Sequence, residues 1–360
     1  MLIGLPAETK DRERRVALDP VAVDSAVAAG HRVLVQRGAG EGAGFADANY
    51  KEAGGELVSG AEDAWSAELV VKVKEPQPEE YAFFRDDLTL FAYLHLAAAP
   101  KLARALADAG VAAYAFETLA EEKGLPLLAP MSEIAGRTAP IVGAAYLAAH
   151  RGGSGVLLGG AAGVPPARVV VVGLGVAGTL AARGAAGLDA IVMGVDVDLG
   201  RLGEAAHDGT VVSTVASSER AVAEAVAEAD LVIGAALVPG AKAPVVVTDE
   251  HVQAMRPGSV IIDLAIDRGG CVETARPTSL SEPVYVEHDV VHYCVTNVPG
   301  QYPRTASRAL SAAVAPRLLK LASDPDDAAL EGAANVLGGQ FVHSAVSEAL
   351  GQDSPAQQGA

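Results

Sequence analysis

The sequence predicts an α/β protein with two domains, and three features support this prediction. The chain has 360 residues, half of them apolar, which is enough for two domains that each bury a core. Short apolar runs alternate with helical segments in two successive series, as expected of parallel strands joined by crossover helices. A stretch rich in glycine and proline, residues 151–168, separates the two series and is interpreted as a linker.

The first series extends from Met1 to about Leu128. Its apolar runs predict strands in the segments LIGL, RVLVQ, ELVVKVK, LTLFAYLHL and VAAYAF. A helix is predicted from Pro20 to Ala29, and a longer one from Glu133 to Ala149 follows the series. The first third of the chain is therefore predicted to be α/β.

The second series begins at Arg168. Its predicted strands RVVVVG, IVMGVD, VVST, DLVIGAAL, SVIIDLAID and VVHYCV, with helices between them, give the count expected of a doubly wound parallel sheet that binds a dinucleotide. After Pro303 the chain is predicted to be helical again, with a second helical stretch from Ala328 to Leu350. This tail allows a discontinuous first domain with the second domain inserted in it, although the residues alone do not demand one.

Charge and composition narrow the class of function. A formal net charge of −18 disfavours binding to nucleic acids or to an anionic membrane surface, so a small soluble substrate is favoured. The two cysteines, Cys271 and Cys294, lack the spacing of a disulfide framework or a zinc site and are interpreted as buried thiols. The N-terminus becomes charged too early for a secretory signal, and no apolar run is long enough to span a bilayer. We therefore expect a cytoplasmic protein.

A glycine-rich pattern follows the first strand of the second series. Gly173, Gly175 and Gly178 form G-x-G-x-x-G, in which the glycines allow a tight turn, close approach of a pyrophosphate, and close packing of helix on strand. Asp196 ends the next strand, where a carboxylate accepts hydrogen bonds from a ribose 2′-hydroxyl and repels a 2′-phosphate. The pattern predicts an oxidoreductase that uses NAD. Arg201 leaves the preference over NADP open, because a nearby cation can accommodate a 2′-phosphate.

Polar residues in the first domain follow three predicted strands, where ligands bind in sheets of this kind. Arg14 and Arg15 lie in or near the loop after the first strand, where an arginine can grip a substrate carboxylate, or they are surface charges in a highly charged loop. Lys72 and Lys74 end the run ELVVKVK, and an ammonium group in so apolar a run requires an acidic partner or a ligand. His95 ends LTLFAYLHL and is either an acid/base group or a structural histidine.

The second domain offers two further candidates. Asp267 lies just past a predicted strand, where it can hold or activate water or ammonia, whereas Asp263 within that strand is interpreted as a structural acid. Asn297 follows the next strand and is a possible contact to a nicotinamide or a substrate. His292 and Cys294 are interpreted as sheet residues.

Ordered blocks along almost the whole chain resemble the alanine dehydrogenase family, which is related to the nucleotide-binding subunit of proton-translocating transhydrogenase. The blocks are GLPAETKDRERRVAL, GHRVLVQRGAGEGAGF, VVKVKEP, LHLA, LPLLAPMSEIAGR, VVVVGLGVAG, ADLVIGAALVPGAKAP, LAIDRGGCVETARPT and VHYCVTNVPG. The resemblance implies reversible oxidative deamination of L-alanine to pyruvate and ammonia, with hydride transfer from the α-carbon to NAD. It also implies a homohexamer.

The resemblance further implies roles for individual residues. The positions matching Arg15 and Lys74 bind the substrate carboxylate in that family, and those matching His95 and Asp267 carry the acid/base chemistry. Positions that match cofactor contacts are Ser132, Asp196, Arg201, Ser217, Leu237 and Asn297. Residues 1–128 and 305–360 are expected to form the substrate domain, and residues 129–304 the NAD domain, both Rossmann-like.

The chain departs from the family pattern in two places. Residues 296–299 read Thr-Asn-Val-Pro where the family usually reads Ala-Asn-Met-Pro, and residues 137–140 have no clear match. Pro140 is expected to kink the long helix or to mark its start. Two alternative functions stay open: a related amino-acid or opine-type dehydrogenase with another amine substrate, and a transhydrogenase-like nucleotide-binding subunit without deaminase activity.

Overall fold

The computed structural model describes residues 1–122, 124–237, 242–325 and 327–351. The end of the expected substrate domain, residues 352–360, and residues 238–241 of one family-like block lie outside the described residues. The chain divides into two compact units, the first formed by Met1–Met131 with Gly300–Ala360 and the second by Ser132–Pro299.

Each predicted apolar run contains or overlaps a strand, and the chain forms further strands besides these. In chain order they are β1 Leu2–Leu5, β2 Arg32–Gln36, β3 Glu56–Val58, β4 Leu69–Val71, β5 Thr89–Ala92, β6 Ala112–Ala115, β7 Arg168–Val172, β8 Ile191–Asp196, β9 Ser213–Ala216, β10 Leu231–Gly234, β11 Val260–Asp263, β12 Val284–Glu287, β13 Val290–Tyr293, β14 Ala334–Leu337 and β15 Gln340–Phe341.

Helices connect these strands. They are α1 Pro20–Ala28, α2 Asp47–Glu52, α3 Ala61–Trp65, α4 Pro100–Asp108, α5 Ala129–Tyr146, α6 Val176–Ala186, α7 Leu199–His207, α8 Glu219–Ala227, α9 Asp249–Gln253, α10 Pro303–Ser323 and α11 Ser344–Ala349. Short 3-10 helices lie at Glu41–Ala43, Pro78–Phe83, Leu96–Ala98, Ala149–Arg151, Ile266–Arg268, Val298–Gln301 and Ala328–Ala333. Within the described residues, no helix combines the length and apolar character needed to cross a bilayer.

The two units contain sheets with the same core order. The first sheet runs β15-β14-β6-β5-β4-β1-β2-β3, with β1 to β6 parallel. The second runs β12-β13-β11-β10-β7-β8-β9 and is parallel apart from β12. In each, the chain starts in the middle, moves out to one edge, and returns to build the other half. Ligands bind at the carboxyl ends of strands at such a reversal point, here β1 with β4 and β7 with β10. The predicted α/β class with two Rossmann-like sheets is confirmed.

Both faces of the second sheet are buried, as expected for parallel strands. Val169 and Val171 of β7 belong to one core layer and Val170 and Val172 to the other. Such a strand reads as a continuous apolar run, which is why RVVVVG was recognisable in the sequence.

Two predictions from the sequence are wrong. The segment from Ala328 to Leu350 is not one helical stretch, because the hairpin β14–β15 occupies its middle and Gly338 and Gly339 turn with positive φ. Residues 151–168 are not a linker, since they lie within the second unit and Leu158 is buried in its core. Glycines with positive φ, among them Gly155 and Gly160, fold this segment back on itself.

Pro140 does not mark the start of a helix. Helix α5 begins at Ala129 and continues through Pro140 to Tyr146. Its partner in packing is α6, where a Cβ on Gly184 would lie 2.7 Å from the Pro140 ring. A glycine at this position of α6 therefore leaves room for the proline.

A buried ion pair lies beneath the carboxyl edge of the first sheet. Lys72 is 1% exposed, and its Nζ lies 2.5 Å from Oε1 of Glu80 and 3.7 Å from Oε2 of Glu8. The expected acidic partner of this lysine is thus present, and the cost of burying the ammonium group is offset by two carboxylates.

We expect Lys72→Met to lower the free energy of unfolding by about 3–5 kcal/mol, because it leaves buried carboxylates uncompensated. Urea unfolding followed by circular dichroism measures this, with Lys51→Met on the exposed face of α2 as the control. Adding Glu80→Gln to Lys72→Met should recover part of the loss. A loss below about 1 kcal/mol for the single variant contradicts the argument.

Candidate active site

Arg15 lies in the loop after β1, with its side chain buried. Its Nε and Nη2 donate to the two carboxylate oxygens of Glu13 at 2.7 and 2.5 Å, and Nη1 lies 3.1 Å from Sδ of Met131. Burial opposes the charge, but the bonded Glu13 carboxylate prevails and raises the pKa of Arg15. The guanidinium is therefore a fixed, permanently charged group and not a solvated surface charge.

Lys74 follows β4, and its backbone is held by Glu8 from the loop after β1. The carboxylate of Glu8 accepts from the backbone N–H of Val73 at 2.6 Å and from that of Lys74 at 3.2 Å. Burial raises the pKa of Glu8, against the opposing effects of Lys72 and of these two hydrogen bonds. Lys74 itself is half-buried, so a small anion can reach its ammonium group.

His95 follows β5 in a left-handed backbone conformation, with φ +50° and ψ +38°. The carboxylate of Glu117 accepts from the backbone N–H of His95 at 2.6 Å and from that of Leu94 at 3.2 Å. The imidazole stacks on Tyr93 with ring centroids 6.0 Å apart and an interplanar angle of 7°. Its side chain is 41% exposed, so it can exchange a proton with a bound molecule.

These residues belong to one edge of the first sheet. The charge of Arg15 acts on the buried hydroxyl of Tyr93, which stacks on His95, and the charge of Glu8, which holds Lys74, acts on Arg15. Two cations beside an imidazole favour a small molecule with a carboxylate and a neighbouring group that gains or loses a proton.

The glycine loop of the second unit has the geometry of a phosphate cradle. Gly173 has φ +92°, and a Cβ there would lie 2.7 Å from the backbone nitrogen of Ala236. A Cβ on Gly178 would lie 1.7 Å from the carbonyl oxygen of Gly173. A Cβ on Gly175, which begins α6, would meet nothing within 4 Å. The protein itself therefore requires the first and third glycines, while the second leaves open space for a ligand.

Asp196 at the end of β8 closes one side of this loop. Its Oδ2 accepts from the backbone N–H of Leu174 at 2.6 Å, and its Oδ1 accepts from that of Asp198 at 2.9 Å. Arg201 on α7 lies 3.7 Å from Asp196 and 3.8 Å from Asp198, measured from its guanidinium nitrogens to their carboxylate oxygens. The charge of Arg201 is thus shared by two carboxylates. This disfavours binding of the 2′-phosphate of NADP.

Asp267 lies in the 3-10 helix after β11, with its side chain exposed. Its Oδ2 accepts from the backbone N–H of Asn297 at 3.3 Å, and Asn297 has a left-handed φ of +58°. The loop is held from below by Asp263, which accepts from the backbone N–H groups of Ala265, Cys271 and Val272 at 2.8–3.0 Å. Burial raises the pKa of Asp263 despite these hydrogen bonds. The structure thus places Asp267 next to Asn297. Asp263 has a structural role, because its carboxylate holds the loop that carries Asp267.

The remaining predicted contacts lie around the same edge of the second sheet. Ser217 follows β9 and donates its backbone N–H to the Asp196 carbonyl at 2.8 Å, and Leu237, 41% exposed, follows β10. Ser132 is in α5, one turn before Gly136, whose missing side chain allows close approach to the Ala177 carbonyl at the start of α6. All three are therefore near the ends of strands or of the helix that form the cradle.

Sequence reasoning missed four residues that fix this chemistry in place. They are Glu8, Glu13, Tyr93 and Glu117. Glu13 had a detectable signal, since it is two residues from Arg15 in the same charged loop. Glu8 and Glu117 act on residues more than 20 positions away, which no local pattern reveals.

The residues present fit a dinucleotide, because the cradle is open where a pyrophosphate would approach and a carboxylate stands at the end of the next strand. Fold and site together define a dinucleotide-binding α/β protein whose other unit carries cations and an imidazole for a small acid. Two family models divide the chain, "Alanine dehydrogenase/PNT, N-terminal domain" over residues 4–135 and "Alanine dehydrogenase/PNT, C-terminal domain" over residues 139–344. The chain belongs to the alanine dehydrogenase/PNT family.

Individual relatives agree with this assignment. The chain is 48% identical over 361 residues to alanine dehydrogenase of Bacillus subtilis, covering 98% of this chain and 96% of that protein. A solved structure of L-alanine dehydrogenase matches with a TM-score of 0.93 and 48% identity over 98% of this chain and 99% of that one. The transhydrogenase structure from Sinorhizobium meliloti matches with a TM-score of 0.83 and 29% identity, over 96% and 100% of the two chains.

We expect Gly175→Ala to weaken binding of NAD at least about tenfold while changing the free energy of unfolding by no more than about 1 kcal/mol. The reason is that the added methyl meets only the space that a pyrophosphate would fill. Calorimetry measures the binding and thermal unfolding the stability. Gly203→Ala on α7, which also meets nothing within 4 Å, is the control and should leave binding unchanged. Equal NAD affinity in wild type and Gly175→Ala would contradict the cradle.

Proposed function

We propose that the protein is an NAD-dependent alanine dehydrogenase, which reversibly deaminates L-alanine to pyruvate and ammonia. The observation that carries the proposal is the 48% identity to an alanine dehydrogenase over nearly the whole chain. The fixed cations, the imidazole and the dinucleotide cradle support it, because the reaction needs each of them.

Arg15 and Lys74 bind the carboxylate of alanine or pyruvate. Arg15 is held rigid by Glu13, so it loses little side-chain entropy when an anion binds. The half-buried Lys74 adds a second positive charge, while Lys72 is committed to its buried ion pair. The two lysines of VVKVKEP thus have different tasks, one structural and one in the substrate site.

His95 and Asp267 carry the proton transfers. When bound, NAD accepts the hydride from the α-carbon of the amino acid. His95 takes the proton of the substrate's ammonium or hydroxyl group and returns it in the reverse direction. Asp267 holds the attacking water, or ammonia in the reverse direction, through its exposed carboxylate.

The cofactor contacts follow from the same proposal. The loop shaped by Gly173 and Gly178 receives the pyrophosphate at Gly175. Asp196 and Arg201 contact the adenosine ribose, and Asn297 contacts the nicotinamide. Ser132, Ser217 and Leu237 complete the contacts. Residues 129–304 form the NAD domain, and residues 1–128 with 305–360 form the substrate domain. We also propose a cytoplasmic homohexamer on the basis of the family resemblance, and sedimentation equilibrium of the purified protein tests the number of subunits.

We expect His95→Ala and Asp267→Ala to reduce the rate of L-alanine-dependent NADH formation about 10²–10⁴-fold, because each removes a proton-transferring or water-holding group. Absorbance at the NADH band measures the rate. His150→Ala and Asp24→Ala, which alter exposed side chains elsewhere, serve as controls and should keep wild-type rates.

The outcomes separate the alternatives. Rates close to wild type in both variants refute the assigned roles. If the wild-type protein oxidises another amino acid and not alanine, it is a related dehydrogenase. If it binds NAD and oxidises no amino acid in a broad panel, it is a nucleotide-binding subunit like that of transhydrogenase.

We expect the wild-type enzyme to prefer NAD over NADP in kcat/KM and Asp196→Asn to reduce that preference at least about tenfold, since a like charge beside the 2′-phosphate costs several kcal/mol. The asparagine oxygen can still accept from the backbone N–H of Leu174, although the N–H of Asp198 loses its acceptor. Initial rates with both cofactors measure the ratio. An unchanged ratio would mean that Asp196 does not select the cofactor.

A further inference from the structure

Glu117 connects the strand end that carries His95 with the C-terminal part of the first unit. It follows β6, the neighbour of β5, and its side chain is 8% exposed. Both of its carboxylate oxygens accept backbone N–H groups of the β5 loop, Oε2 from Leu94 and Oε1 from His95. A buried carboxylate is thus aimed at the one loop that presents the imidazole.

The backbone of His95 needs this support. Its left-handed conformation is uncommon for a residue other than glycine, and the backbone strain persists only where the surrounding structure supports it. The 2.6 Å hydrogen bond from its N–H to the Glu117 carboxylate is of the strong, charge-assisted kind. Glu117 therefore stabilises a conformation that the sequence at this position does not favour.

The imidazole ring of His95 also faces the same carboxylate, at a distance longer than a hydrogen bond. Nδ1 of His95 lies 3.9 Å from Oε1 of Glu117, while Tyr93 stacks parallel to the ring and fixes its plane. The Tyr93 hydroxyl donates to the Leu127 carbonyl at 2.5 Å, which holds the stacking partner still. With Nδ1 turned to Glu117, the opposite nitrogen Nε2 is turned away from it.

A second imidazole lies near the Glu117 carboxylate. His343, just before α11, has a half-buried ring whose Nδ1 is buried without a hydrogen-bond partner among the described residues. Burial lowers the pKa of His343, and the negative charge of Glu117 opposes that shift. The titratable groups that face Glu117 are thus His95, His343 and the buried Tyr93, whose pKa burial raises.

We propose that Glu117 is the positioning residue of the acid/base group: by accepting the backbone N–H groups of Leu94 and His95, it holds His95 in its left-handed conformation, with the Nδ1 edge of the ring toward Glu117 and Nε2 left for the substrate. The inference rests on the proposed function for its effect on rate, but not for its effect on the backbone of His95. His343 faces the same carboxylate, so its protonation changes the net charge beside His95.

The first test is amide hydrogen exchange of the wild-type protein, followed residue by residue by NMR. The proposal expects the amides of Leu94 and His95 to exchange slowly, because both donate to the buried Glu117 carboxylate, and exchange of both at the rate of an unstructured loop overturns it. This measurement needs no variant and no substrate, so it remains decisive even if the protein oxidises no amino acid.

The second test compares Glu117→Gln with Glu117→Asp, and uses Glu121→Gln as the control because Glu121 pairs with Arg317 at the surface. Glutamine has one acceptor oxygen in place of two, so the amide of Leu94 or of His95 should exchange its hydrogen at least about tenfold faster in Glu117→Gln. This variant should also lower kcat roughly 10- to 100-fold, part of the 10²–10⁴ that acid/base catalysis contributes, with KM for alanine little changed. Glu117→Asp, which keeps both acceptor oxygens, should restore most of both.

The results distinguish positioning from packing. If Gln and Asp lower kcat equally and neither speeds hydrogen exchange of the Leu94 and His95 amides, Glu117 serves only the fold and the proposal fails. Faster exchange of these amides in a protein that oxidises no amino acid supports the positioning of His95 and refutes the proposed function instead. Unchanged NAD affinity in each variant confirms that the second unit is intact.

Discussion

In each unit, carboxylates that accept backbone N–H groups just beyond strand ends hold the candidate site residues in place. The N–H groups of a parallel strand lose their partners where the ladder ends, and a buried one must be satisfied in another way. In this chain an acid from a neighbouring loop or strand accepts them, and the residue so fixed lies in or beside the candidate site of its unit. The pairs are Glu8 with Lys74, Glu117 with His95, Asp196 with Leu174, and Asp263 with the loop carrying Asp267.

Burying a carboxylate alone costs free energy, but burying it among backbone N–H groups offsets that cost and fixes the loop. A buried carboxylate is penalised by desolvation, as the raised pKa values of Glu8 and Asp263 indicate, and each is retained because two or three N–H groups surround it. In exchange, the loops that these carboxylates hold become rigid. Pre-organised groups lose less entropy when substrate binds, which is where much of the benefit to catalysis arises.

Features of the structure were predictable from the sequence where the residues that form them are close together along the chain. The apolar runs, the glycine pattern and Asp196 are contiguous, so β7, β8 and the cradle were predictable from spacing alone. The hairpin β14–β15 was not, because its short strands lie within a stretch compatible with helix and form only by pairing with β6. Glu8 and Glu117 were missed for the same reason, since their partners are distant in sequence.

The two units show how one strand order supports two kinds of chemistry. Both sheets reverse direction beside their first strand, so in each the loop after that strand lies at the ligand edge. In the second unit that loop is residues 173–178, three of them glycine and none charged, and the proposed ligand there is a pyrophosphate. In the first unit it is residues 6–16, which carry Glu8, Glu13 and Arg15. Charged side chains thus occupy the loop that is uncharged in the second unit, which fits the small carboxylate proposed as the ligand of the first.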